Sequence, residues 1–277
     1  MSQPPGDPAL DAYRARRDFA RTPEPAPGPP GPGAARRFVV QRHDARALHF
    51  DLRVEVDGVL ASWAVPKGPP LREDVKRLAV RTEDHPLEYL EFAGVIPPGE
   101  YGAGRMSVWD TGTYEVSLMS DTEWKLVLHG GVLRGHYHLV RTAGGPREQW
   151  LLFRSRQGPP GPPSPADALA ALTPMRAERA PDAWDDPDWA AEVRWDGVRA
   201  RCLVDGDGTR LLGAAAPDPG DLRRGVLAVE AVVDGVVCVL DDHGRASRPA
   251  LDAGRGPRTL VAVDLLWCDG ERLTALP

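Results

Sequence analysis

The segment LHFDLRVEV-DG-VLASWAV, residues 48–65, contains the clearest indication of the fold. In its first nine residues, apolar side chains alternate with polar ones, as in a strand with one face in a core. Asp57-Gly58 is a typical two-residue hairpin turn, after which the second apolar run returns. The segment therefore predicts an antiparallel β-hairpin whose polar face carries His49, Asp51 and Arg53.

Short strands with intervening turn residues continue through the first half of the chain. The predicted strands are residues 77–85, 105–110, 113–118, 125–129, 136–141 and 149–155. Many short strands without a long helix predict a mainly β fold, a small antiparallel β-barrel or sandwich. In the strand over 77–85, the period of two places Arg77, Arg81 and His85 on one face. A helix over 166–172 and a strand over 231–241 indicate an α+β second half.

Two stretches rich in proline and glycine, residues 22–37 and 157–167, divide the chain. The first joins a short N-terminal arm to the first domain, and the composition of the second is typical of a semi-rigid, unpacked linker between domains. The expected division is an N-terminal arm (1–37), a barrel (38–156), a linker (157–167) and a second domain (168–277). No apolar run is long enough for a membrane helix, and the N-terminus lacks a hydrophobic signal core, so we expect a cytoplasmic protein without a membrane partner.

The charges and cysteines limit the function classes. The net charge is −6, so nucleic-acid binding would need a local basic site. All three lysines, Lys67, Lys76 and Lys125, lie in the first half, as do six of the seven histidines. The three cysteines are widely spaced and form neither a disulfide framework nor a paired metal motif, which predicts reduced thiols.

The strongest chemical signal is the spacing His43-x5-His49-x-Asp51. Residues two apart on a strand project from the same face, so His49, Asp51 and then Arg53 form one row. Imidazole and carboxylate groups bind divalent cations, and a guanidinium binds phosphate oxygens. Two histidines and one carboxylate would leave coordination positions open for catalysis. A solvated polar strand face would also explain so short a row.

Several separated motifs resemble the 3′-phosphoesterase domain of bacterial ligase D. They are residues 38–70, 77–104 and 138–155, together with the arm YRARRDFARTPEP at 13–25. The resemblance covers roughly residues 10–157, in the same order and spacing. It implies a compact β-barrel that uses manganese, or another divalent transition metal, to trim 3′ ends. Such a domain removes a terminal 3′ ribonucleoside and then the remaining 3′-phosphate, leaving a 3′-hydroxyl.

The resemblance also implies roles for individual residues. It makes His43, His49 and Asp51 the metal ligands. Arg53 and His85 would contact the scissile phosphate, with Tyr89 near them. The identity of the general acid stays open, and His85 is the candidate because imidazole titrates near neutral pH. Further matching positions are Arg17, Asp18, Glu24, Lys67 and Arg77. The implied substrates are DNA or RNA 3′ ends in primer–templates, and the implied partners are end-joining proteins with a separate ligase and polymerase.

The second half resembles the beginning of an ATP-dependent DNA ligase adenylation domain. The matching segments are residues 173–177, 191–200 and 261–277. Where the family has its nucleotide-binding lysine, this chain has Arg194, whose protonated guanidinium offers no lone pair to attack ATP. Val236 stands where a carboxylate is expected, and the sequence ends at Pro277, before the later motifs. We therefore expect a degenerate, truncated domain without ligase activity.

Two functions follow from these observations. The first is a metal-dependent 3′-phosphoesterase acting in DNA repair. The alternative is a non-catalytic protein that binds DNA ends or serves as a scaffold in a repair complex. The two differ in whether the protein turns over a 3′-blocked end in the presence of a metal.

Overall fold

The computed structural model describes residues 7–28, 36–142, 147–172, 192–213 and 222–276. These residues form two compact units. The first contains the chain up to Pro162 together with Leu227–Val229, and the second contains Pro163–Val226 and Glu230–Pro277. Across the described ranges, no helix is long and apolar enough to cross a membrane.

The first unit is a closed antiparallel β-barrel of eight strands with a ninth strand at its edge. The strands are β1 (Arg37–Asp44), β2 (Leu48–Val56), β3 (Val59–Val65), β4 (Lys76–Arg81), β5 (Gly94–Ile96), β6 (Gly104–Met119), β7 (Glu123–Gly130), β8 (Arg134–Arg141) and β9 (Gln149–Arg154). The order around the ring is β1-β2-β3-β4-β9-β8-β7-β6, and β6 pairs again with β1 to close it. β5 pairs with β6 outside the ring. The predicted barrel is confirmed.

The hairpin of β2 and β3 has the predicted bounds. Val56 pairs with Val59 across the turn. Asp57 and Gly58 have φ angles of 49° and 86°, the left-handed conformation that a type I′ turn requires at both central positions. This local signal was therefore sufficient to place the turn.

Three strand predictions differ from the structure. β1 was not among the predicted strands. Residues 105–110 and 113–118 form one strand, β6, because Gly112 lets the backbones of β6 and β7 approach closely: a Cβ there would lie 2.2 Å from the carbonyl oxygen of His129. β4 ends at Arg81, and His85 rejoins the sheet only through an isolated bridge to Leu60.

Strands β1, β2 and β3 are covered on both faces. The inward side chains form the main core, which includes Phe50, Leu52, Val54 and Trp63. On the outer face of β1–β3 lies a second apolar cluster, formed by Tyr13, Val39, Leu60, Tyr89, Leu90, Ile96 and Met106. The N-terminal arm, with the short helix α1 (Asp11–Ala15), and the 3₁₀ helix Leu87–Glu91 supply this cover. Polar side chains on the outer face are therefore also removed from water.

The second unit combines short helices with an antiparallel sheet, as expected of an α+β fragment. Its elements are α2 (Pro165–Ala171), β10 (Val198–Asp205), β11 (Gly208–Leu212), α3 (Leu222–Gly225), β12 (Ala231–Val239), α4 (Arg248–Asp252), β13 (Arg258–Cys268) and β14 (Glu271–Arg272). The sheet order is β11-β10-β12-β13-β14. The three cysteines are free. The motif at 173–177 lies outside the described residues.

The predicted linker at 157–167 is not an unpacked segment. Arg154 donates to the carbonyl oxygen of Pro159 at 2.9 Å, and the amide of Gly161 donates to the Glu73 carboxylate at 2.7 Å. α2 already begins at Pro165, with the Ser164 hydroxyl accepting from the Asp167 amide as its N-cap. The first part of this segment thus belongs to the barrel unit, and its last part is helical.

Candidate active site

A cavity of about 440 Å³ lies on the outer face of β1–β4. Of the residues predicted to act in the site, Arg17, Glu24, His43, His49, Asp51, Arg53, His85 and Tyr89 line it. They come from the N-terminal arm, from β1 and β2, and from the segment that follows β4. The structure thus brings together eight side chains that the sequence distributes over more than 70 residues.

The three predicted metal ligands form one cluster. His43 and His49 are direct cross-strand partners in β1 and β2, and Asp51 follows two residues later on the same face. Their ligand atoms lie within 4.8 Å of one another. His43 Nδ1 and His49 Nε2 are 3.1 Å apart, and each imidazole lies 3.7 Å from an oxygen of Asp51.

Hydrogen bonds to backbone carbonyls orient both imidazoles. His43 donates from Nε2 to the carbonyl oxygen of Gly102 at 2.8 Å, and His49 donates from Nδ1 to that of Ala47 at 2.9 Å. The lone pairs on the remaining nitrogens then face each other, which is unfavourable unless a cation lies between them. Burial alone would raise the pKa of Asp51, but Arg53 and the two histidines together lower it to about 2. The donor set therefore fits a divalent metal ion.

Arg53 lies beside this cluster and is 2% exposed. Its guanidinium donates to Gln41 Oε1 at 2.7 Å, to Asp51 Oδ2 at 3.0 Å and to His85 Nδ1 at 2.9 Å, and it stacks 4.6 Å from the ring centroid of Tyr89. Three of the five N–H groups of this arginine have these acceptors among the described residues. The other two N–H groups are suited to phosphate oxygens.

His85 is almost completely buried, at 3% exposure. Arg53 is a donor only, so its contact requires a lone pair on Nδ1 and puts the ring proton on Nε2. The carbonyl oxygen of Glu83, 2.9 Å from Nδ1, and the donor Nη2 of Arg17, 3.4 Å from Nε2, both require the opposite tautomer, so the ring satisfies either Arg53 or these two partners. Burial, then Arg53 and Arg17, lowers the pKa of His85 well below its usual value. The ring is therefore neutral at pH 7.

These features coincide with a similarity to known proteins. Residues 41–141 match the family described as DNA Ligase D 3'-phosphoesterase domain. The chain is 40% identical over 95% of its length to the multifunctional non-homologous end joining DNA repair protein LigD of Mycobacterium tuberculosis H37Rv. It is 38% identical to that of Mycolicibacterium smegmatis over 95% and 34% identical to that of Pseudomonas aeruginosa over 97%.

The chain is a homologue of LigD. It spans 36% of the length of the two mycobacterial relatives and 39% of the Pseudomonas relative. The matched family segment contains the metal-ligand cluster, Arg53, His85 and Tyr89, but not the arm residues Arg17 and Glu24.

In this LigD homologue, the arm is held to the site by buried ion pairs. Arg17 donates from Nε to Glu24 at 2.7 Å and from Nη1 to Glu83 at 3.1 Å, and its Nη2 lies 3.4 Å from His85 Nε2. The same Glu24 oxygen accepts from the hydroxyl of Tyr89 at 2.7 Å. All these charges are paired, as buried charges must be.

Three predicted residues do not line the cavity. Asp18 is exposed, and its carboxylate accepts from the amide of Ala20 in the turn that follows. Lys67 is exposed next to Pro66, which does line the cavity.

The expected common face of Arg77 and His85 is wrong. Arg77 is buried on the inner face of β4, with Ala79 of the main core. Val80, of opposite parity, is the β4 residue that lines the cavity. His85 reaches the cavity only because the chain leaves the sheet after Arg81.

Sequence analysis missed Gln41, Glu83 and Tyr13. Gln41 lies two residues before His43 on β1, so the alternation would have placed it on the site face had β1 been predicted. Glu83 meets Arg17 through packing between segments 66 residues apart, for which no local signal exists. Tyr13 lies four residues before Arg17 in the arm, and its ring contacts the Arg17 guanidinium at 3.8 Å.

In the second unit, Arg194 and Asp196 are exposed in the segment that precedes β10. The neighbouring Arg199 forms an ion pair with Asp234 of β12. Val236 is half-buried on β12 and lies opposite Arg199 in the sheet.

Proposed function

We propose that this chain is a metal-dependent 3′-end-processing phosphoesterase. It removes 3′-terminal ribonucleosides and 3′-phosphates from nucleic-acid ends and leaves a 3′-hydroxyl. The observation that supports this proposal most strongly is the adjacency of the His43, His49 and Asp51 cluster to the N–H donors of Arg53 and His85 in one cavity.

The proposed metal is Mn²⁺ or another divalent transition metal, held by His43 Nδ1, His49 Nε2 and the Asp51 carboxylate. A bound divalent ion of this kind polarises a phosphate oxygen and lowers the pKa of water. Both imidazoles are held in the tautomer that ligation needs before any ion arrives. Such preorganisation reduces the cost of binding.

The phosphate would be bound by residues that the structure already holds in place. Arg53 is fixed by Gln41 and Asp51 and would direct its remaining N–H groups at phosphate oxygens. His85 would donate from Nε2, and Arg17 would add positive charge from the arm. These groups would stabilise negative charge that develops on the phosphoryl group. Tyr89 would support Arg53 from below through its ring.

The role of His85 as a general acid needs revision. The expectation rested on the usual pKa of imidazole near neutral pH, whereas burial and two arginines lower the pKa of this ring. We therefore propose His85 as a neutral hydrogen-bond donor to phosphate. Only the negative charge of a bound substrate would raise its pKa toward that of an acid.

The biological setting follows from the relatives, whose names assign them to non-homologous end joining. We propose that this chain acts in the cytoplasm on DNA or RNA 3′ ends of primer–templates, alongside end-joining proteins and a separate ligase and polymerase. The second unit would be a pseudo-ligase domain, because Arg194 cannot form the covalent adenylate.

One assay tests the proposal. A primer–template ending in a 3′-phosphate, and a second one ending in one ribonucleotide, are incubated with protein and Mn²⁺, with EDTA as the control. Conversion of both to a 3′-hydroxyl primer, in Mn²⁺ only, is the expected result. Tight binding of both ends without turnover in any divalent metal would instead support the end-binding alternative.

A further inference from the structure

Tyr101 is the exposed aromatic residue at the mouth of the cavity. It lines the cavity and is 48% exposed, whereas Tyr13 and Tyr89 of the same site are 0% and 1% exposed. A large aromatic ring that is exposed at the entrance of a polar cavity is available for contact with a bound ligand. The sequence motifs assigned no role to it.

The loop that carries Tyr101 is tied directly to the metal-ligand cluster. The next residue, Gly102, has a φ of 76° and provides the carbonyl oxygen that accepts from His43. At Gly104, a Cβ would lie 2.6 Å from the carbonyl oxygen of Asp44, so the loop can approach the end of β1 only with glycine there. Tyr101 is therefore adjacent in sequence to Gly102, whose carbonyl oxygen orients His43.

Arg16 of the arm contacts both the hydroxyl and the ring of Tyr101. Its guanidinium donates to the Tyr101 hydroxyl at 2.8 Å and to Glu83 at 2.7 Å, and it lies 5.0 Å from the ring centroid. The Arg16 side chain is itself 47% exposed. The rim thus presents a positioned aromatic ring with a cation beside it, the combination with which proteins bind unpaired nucleotides.

We propose that the Tyr101 ring stacks on the base of the 3′-terminal nucleoside and so positions the end of the strand over the phosphate-binding groups. This inference rests on the proposed function, since it assumes a nucleic-acid 3′ end in the cavity. The cavity volume of about 440 Å³ lies within the range of sites for molecules of nucleotide size. Because every base has a π-face, the terminal base can be any of the four.

The test measures binding in EDTA, without turnover. Two primer–templates end in one ribonucleotide, and in the second the terminal base is replaced by hydrogen. We expect the intact protein to bind the first about 5- to 150-fold more tightly by fluorescence anisotropy, which is the usual strength of one base–aromatic stack. Tyr101→Ala should bind both equally, and Tyr101→Phe should behave as the intact protein. Val95→Ala, which removes exposed apolar surface from β5, is the matched control and should change neither affinity.

Tyr101→Phe separates stacking from a purely structural role. It keeps the ring but removes the hydroxyl that accepts from Arg16. If Tyr101 only fastens the arm, Phe should be as harmful as Ala, and equally so for both primers; that result would overturn the inference. Base-dependent binding without any 3′ processing would support the stacking role of Tyr101 and contradict the proposed function. 3′ processing with base-independent binding would support the proposed function and contradict the stacking role.

Discussion

Two short motifs of this chain combine an arginine with an acidic residue, and they differ in how far the structure buries them. In the first unit, Asp51 and Arg53 are 6% and 2% exposed and bonded to each other. In the second unit, Arg194 and Asp196 are exposed before β10. Charges interact strongly only where packing removes water and fixes their distance. The comparison shows that the reactivity of such a motif depends on its enclosure. Four predictions test this difference between the two motifs.

The largest effect is expected at the metal-ligand cluster. His49→Ala and Asp51→Asn should each reduce Mn²⁺-dependent removal of a 3′-phosphate by about 10³-fold or more, because in the proposed mechanism each removes a ligand for the ion that would stabilise the transition state. Initial rates on the 3′-phosphate primer measure the loss. His129→Ala, on an exposed face of β7, is the control and should keep full activity. Near-normal rates in both variants would show that the enclosed cluster is not the catalytic centre.

The next effect concerns the arm. Arg17→Met should reduce the rate by about 10²-fold, because it removes one cation from the proposed phosphate site and leaves Glu24 and Glu83 with one fewer partner. Arg14→Met, three residues earlier in the arm, on α1, and partly exposed, is the matched control. Melting temperatures of both variants should be recorded, since loss of a buried ion-pair partner also destabilises the fold. An unchanged rate for Arg17→Met would confine the site to the barrel.

A smaller effect is expected in the pH dependence of stability. His85 faces Arg17, Arg53, Arg81, Glu83 and two tyrosines, and its pKa in the folded protein is lowered. As pH falls below about 6.5, the unfolded chain binds a proton that the folded protein does not, so stability decreases until the lowered pKa is reached.

His85→Gln should remove this decrease in the free energy of unfolding at acidic pH, which amounts to at most about 1.4 kcal/mol per pH unit. The measurement is urea unfolding between pH 7.5 and 5.5. The matched control is His243→Gln, at an exposed position of the second unit, and it should leave the slope unchanged. An identical slope in His85→Gln would contradict the burial of a neutral ring.

The smallest effect is expected in the exposed motif. Arg194→Ala should leave 3′ processing within about twofold, since Arg194 is exposed and is not among the residues that line the cavity. The unaltered protein should form no AMP adduct with radiolabelled ATP and Mg²⁺. Arg194→Lys alone should not seal nicks, because Val236 still lacks the expected carboxylate. An AMP adduct on the unaltered chain would mean that the second unit is catalytic after all.

Much of the barrel and part of the site could be predicted from local patterns. The hairpin followed from alternation and Asp57-Gly58, and the common face of His49 and Asp51 followed from their spacing on β2. His43 lies on β1, which was not predicted, and joins them by pairing across strands. The face of Arg77 was mispredicted because the strand was extended to His85, whereas the chain leaves the sheet after Arg81. A strand end depends on which partner strand is available to continue the ladder, and that partner, β9, lies about 70 residues later.

The sequence by itself determined which side chains share a face of β2, because the period of two is a property of the local backbone within a strand. It also determined that position 194 carries a guanidinium instead of an amine. Only the tertiary structure decided that β6 returns to β1, that the arm brings Arg17 and Glu24 to the cavity, and that Tyr101 stands at its mouth. It also decided that His85 is neutral. Contacts between distant segments and the loss of water around a charge are outcomes of packing, and no local pattern encodes them.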